Sequence, residues 1–80
     1  MDAPSTLRSA AADDEDIAIT RRERDGETLV VVDFGEDVDA QLDTVGGTAI
    51  VVAGDRQFEF QIPPEVTDLS ANGGMVTFPS

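Results

Sequence analysis

Asp33, Glu36, Asp37 and Asp39 bring four carboxylates into the short stretch VVDFGEDVD. Oxygen ligands at that density suit hard divalent cations, and Asp33-Phe34-Gly35 spells the magnesium-holding tripeptide of protein kinases. A second cluster, Asp13-Asp14-Glu15-Asp16, offers the same ligand type. Neither cluster has the spacing of a calcium loop, which needs acids at alternate positions, a central glycine and a closing glutamate. Phosphoryl transfer also needs a glycine-rich phosphate loop, a phosphate-pairing lysine and a catalytic-loop aspartate, all set by a much longer chain. This chain has 80 residues and contains no Lys, His, Cys, Trp or Tyr. The usual general base, thiol nucleophile, Schiff-base amine and imidazole ligand are therefore all missing. Both clusters read as solvated acidic surface and the kinase-like tripeptide as a coincidence. No catalytic residue, metal site or cofactor is expected, and the chain reads as a non-enzyme.

Cysteine-free, the chain can build neither a disulfide framework nor a thiolate metal site. Apolar runs such as Leu29–Val32 are far below the roughly 18 residues that a membrane helix needs. The first residues, Met1-Asp2, show neither a basic start nor an apolar signal core, so the expected location is the cytoplasm. Seventeen acidic residues against five arginines give a formal net charge of −12. Such a field repels nucleic acid and anionic lipid surfaces, so neither is expected as a partner. Acidity with lysine eliminated suits a halophilic protein, because at roughly 1 M salt the Debye length shrinks to about 3 Å and self-repulsion is screened.

The elements that must position these charges are strands. Residues 1–14 are rich in Ala, Ser and Asp around a single Leu7, and read as a flexible tail preceding a domain over residues 15–80. Ile17 and Ile19 then alternate with polar neighbours, and Asp25-Gly26 separates two extended runs, the signature of a hairpin with a type I′ turn. The returning run, Thr28 to Asp33, is continuously apolar and β-branched, as expected of a central strand buried on both faces. Val38, Ala40 and Leu42 alternate with polar residues; Gly46-Gly47 turns the chain into TAIVVAG. Phe58, Phe60 and Ile62 form the cleanest period-two run, stopped by Pro63-Pro64. After a short connection holding Val66 and Leu69, Asn72-Gly73-Gly74 turns into a last strand, Met75 to Phe78. Six or seven short strands with turn chemistry between them imply an all-β fold, a small antiparallel β-sandwich.

The succession of these pieces resembles the α-crystallin domain of small heat-shock proteins. VVDFGEDVDAQL is similar to that family's strand, tight turn and acidic strand; TVGGTAIVVAGDR to its next pair; FEFQIPPEV to its aromatic strand and exit; ANGGMVTFP to its closing strand. The resemblance covers about residues 17 to 79. It implies that DFGED is a turn, with Phe34 and Val38 pointing inward and the carboxylates outward. It also implies a groove for clients and tails, walled by Val38, Ala40 and Leu42 on one side and Leu69 and Ala71 on the other. Two departures stand out. The chain passes from Gly54-Asp55-Arg56 almost directly to Phe58, where archaeal and plant members carry a loop exchanged between subunits. The family's apolar N-terminal arm and C-terminal assembly motif have no counterpart in these 80 residues.

Arg21, Arg22 and Arg24 place three of the five cations within four positions. One reading is a docking spot for a carboxylate-bearing partner, since guanidinium suits bidentate contacts. The plainer reading is a strand whose exposed residues offset the acidic surface. Function is then expected to be chaperone-like: binding exposed or extended polypeptide segments without ATP, through groove or edge-strand surface. The alternative is an adaptor for one specific protein. The expected partners are protein or client chains, with a monomer or dimer favoured over a large assembly.

Overall fold

The computed structural model describes residues 2–80. It contains one helix and seven strands in the order α1 (Ser5–Asp13), β1 (Ala18–Arg24), β2 (Glu27–Asp33), β3 (Ala40–Val45), β4 (Thr48–Ala53), β5 (Arg56–Gln61), β6 (Ser70–Asn72) and β7 (Met75–Pro79). The strands form two antiparallel sheets, one ordered β1-β2-β7-β6 and the other β3-β4-β5. This is the all-β sandwich that the period-two runs imply. The turns follow the predicted chemistry: Asp25 and Gly26 both have positive φ (53° and 80°), as a type I′ hairpin requires. Arg24 consequently faces Glu27 across a two-residue loop.

Register decides which side chains meet in the core. In the four-stranded sheet Val32 pairs with Val76 and Val30 with Phe78, and all four are fully buried. In the three-stranded sheet Val51 pairs with Phe58 and Ala49 with Phe60, and these face the same interior. All four phenylalanines of the chain are buried. They pack in two pairs: Phe34 stacks on Phe58 with ring centroids 5.6 Å apart, and Phe60 lies tilted by 42° against Phe78 at 5.8 Å. Such pairs add about 0.5–1.5 kcal/mol each beyond their area burial. No buried polar or charged residue interrupts this core among the described residues.

Two expectations need correction. In the segment expected to be a flexible tail (residues 1–14), Ser5–Asp13 folds as α1 with Leu7 fully buried and Ala10 buried, and Ala3 before the helix is buried as well; Met1 lies outside the described residues. Leu7 and Ala10, three positions apart, share one helical face. Small alanine side chains carry little hydropathy, which is why one leucine gave no visible period. α1 packs on both β5 and β1, the edge strands of the two sheets, and so closes one side of the sandwich. Second, β2 is central but not equally buried on both faces. Val30 and Val32 are fully buried, while Leu29 and Val31 on the outer face are half-buried.

Candidate functional site

The acidic stretch that could have held a metal is a structural turn. The Asp33 carboxylate Oδ1 accepts a hydrogen bond from the Gly35 amide at 2.9 Å, which bends the chain out of β2. Phe34 enters the core, and Val38 packs half-buried against it. Asp33, Glu36, Asp37 and Asp39 stay exposed. The turn is tied to the β6–β7 loop: the Phe34 amide donates to the Gly74 carbonyl at 2.8 Å and the Ala40 amide to the Gly73 carbonyl at 2.6 Å. The loop approaches so closely that a Cβ on Gly74 would collide with the Gly35 carbonyl oxygen and lie 2.8 Å from that of Val38.

The second cluster has a different use. Asp14 Oδ2 pairs with Arg56 Nη1 at 2.6 Å, and its Oδ1 accepts from the Asp16 amide at 2.9 Å. The Arg56 guanidinium also lies 5.0 Å from the centre of the Phe58 ring. One arginine thus clamps the end of α1 to β5. Nothing in the local sequence linked Asp14 to Arg56, because 42 positions separate them. Among the described residues no group of three or more acidic side chains comes together as a metal would need.

The five residues assigned by resemblance to a groove lie on or just before two strands, β3 and β6. β3 lies against β6 on the side of the sandwich opposite α1, where each is the edge of its own sheet. Ala40 and Leu42 lie on β3 with Val38 just before it, and Ala71 lies on β6 with Leu69 just before it. All five are half-buried and packed against the core. These residues and the two sheet edges that carry them make up the β3–β6 seam. Edge strands of this kind carry backbone N–H and C=O groups that no neighbouring strand uses, the physical basis of strand addition.

The three clustered arginines do not act as one unit. Alternation along β1 puts Arg22 and Arg24 on the outer face and Arg21 on the other. Arg21 pairs with Glu23 at 2.6 Å, and Arg24 approaches Asp25 only at 4.0 Å with both side chains almost fully exposed. Among the described residues Arg22 has no ion-pair partner. Beside the hairpin, an open depression of about 930 Å³ is lined by Arg22, Arg24, Thr28, Leu29 and Pro79, among others. Among the described residues no helix is long and apolar enough to cross a membrane.

Comparison with curated proteins and with solved structures finds no match. A family model matches residues 1–79, nearly the whole chain, and therefore takes in α1 as well as the sandwich. The chain belongs to that family, described as a family of unknown function (DUF7127).

Proposed function

We propose that this domain is a non-enzymatic, chaperone-like protein-interaction module that binds exposed or extended polypeptide segments without ATP. The observation that carries the reading is the seam between β3 and β6. Two sheet edges meet there around Val38, Ala40, Leu42, Leu69 and Ala71, all only half-buried. An extended segment laid on such a seam gains main-chain hydrogen bonds from an edge and apolar contact from the row beside it. The order of the pieces, with β3 after the acidic turn and β6 before the closing strand, agrees with the resemblance to small heat-shock proteins. The high negative charge fits a protein working at high salt in the cytoplasm, where its surface stays hydrated.

A second reading, an adaptor for one protein partner, is favoured by the β4–β5 connection. Only Gly54 and Asp55 separate those strands, so no loop is available there for exchange between subunits. The two readings separate by absolute mass from light scattering in about 2 M salt, with a parallel assay of aggregation of an unrelated heat-unfolding protein. Chaperone-like action predicts suppressed aggregation, lost in a seam variant such as Leu42→Asp that keeps its circular dichroism. A monomer or dimer that leaves aggregation unchanged overturns the chaperone reading in favour of the adaptor.

A further inference from the structure

A separate feature lies on the other edge of the four-stranded sheet. β1 is the outermost strand of that sheet, paired on one side with β2 only. Thr20 to Arg24 are all exposed, whereas the buried Ile17 immediately precedes the strand and α1 contacts it. This free edge contains no proline and no bulge in its seven-residue pairing with β2. It also carries three arginines against one glutamate, a local charge of +2 in a molecule of −12. No other strand of the fold carries more than one cation.

We propose that the β1 edge accepts an acidic extended segment of a partner protein as an added strand. The proposal rests on the protein-binding reading above but uses a different edge, and names the chemistry of the occupant. A strand laid beside β1 places its side chains directly opposite those of β1, close enough for opposite charges to pair. Carboxylates at alternate positions would face Arg22 and Arg24 on the outer side, with a neutral residue between them facing Glu23 and Arg21 lying beyond Arg22. Arg22 shares its row with Leu29 and Pro79, whose half-buried side chains floor the neighbouring depression and offer an apolar shelf beside the cations. Charge selects the partner against a second copy of this edge. Two β1 strands paired about a twofold at Arg22 would oppose that arginine to itself, and pairing about Glu23 would oppose glutamate to glutamate. Like charges directly opposite are destabilising.

The test uses a dye-labelled peptide of about ten residues alternating Asp or Glu with Val and Thr, read by fluorescence anisotropy against the full chain. The overall field of −12 opposes such a peptide, so its binding reports a local site. Saturable binding is expected, weakened at least tenfold by the double variant Arg22→Glu with Arg24→Glu and weakening as salt rises. Replacing the Val and Thr by proline keeps the charge but removes strand donors, and is expected to abolish binding. Equal binding by the proline peptide, equal binding by the double variant, or no binding at all overturns the proposal. So does an increase in mass on light scattering that the double variant removes, which makes the occupant a second copy. The seam variant Leu42→Asp distinguishes the two sites: it should leave peptide binding intact, while the arginine double variant should leave suppression of aggregation intact.

Discussion

At the scale of single residues, the positions that matter most are those that join elements distant in sequence. Gly74 is the tightest. Its backbone lies against the Gly35 and Val38 carbonyls, so a methyl group there meets backbone, not a flexible side chain that can move aside. Gly74→Ala should cost about 1–3 kcal/mol through overpacking and lower the melting temperature by several degrees, measured by calorimetry. Gly46→Ala serves as the comparison: no atom crowds a Cβ there, although its φ of 60° still adds backbone strain. Arg56 is the second such residue. Arg56→Ala removes a partly exposed ion pair with Asp14 and a guanidinium–ring contact with Phe58, together worth about 1 kcal/mol. Asp14→Asn should incur part of the same loss, and a double-mutant cycle between the two positions isolates their coupling.

At the scale of elements, the strands were legible and the helix was not. Alternation in Gln57 to Ile62, the continuous β-branched run of β2 and the glycine-bearing turns all report local backbone preference, which a sequence displays directly. α1 owes its place to a contact made after folding: Leu7 fills a gap between two sheet edges that exist only once seven strands have paired. The candidate seam was legible only through resemblance, because period two tells which face a residue lies on and not whether a second sheet covers it. The Asp14–Arg56 clamp was not legible at all. The helix makes its own prediction. Leu7→Ala should destabilise the domain by about 2–5 kcal/mol, as expected for a fully buried leucine, measured by denaturant unfolding. A residue of a loose tail would give a change near zero.

At the scale of the whole molecule, charge and size dominate. A domain of 80 residues buries only about 60–65% of the surface of its unfolded chain, so its margin of stability is small. A net charge of −12 compressed into a particle with a radius of gyration of 11.7 Å opposes folding at low ionic strength. The sign of the salt effect follows. Folding brings like charges together, screening reduces that repulsion, and the melting temperature at neutral pH should rise as salt increases from about 0.05 M toward 2 M. A melting temperature that stays flat over that range removes the halophilic reading. The acidic peptide proposed for β1 should respond oppositely, binding less well at high salt, because attraction is screened as repulsion is.

The central claim is that the β3–β6 seam receives polypeptide, and hydrogen exchange reads it most directly. Backbone amides of β3 and β6 should slow in exchange when a chemically unfolded, aggregation-prone chain is added in about 2 M salt, while the β4 amides, already paired on both sides, change little. Unchanged exchange at β3 and β6 in the presence of such a chain would contradict the account.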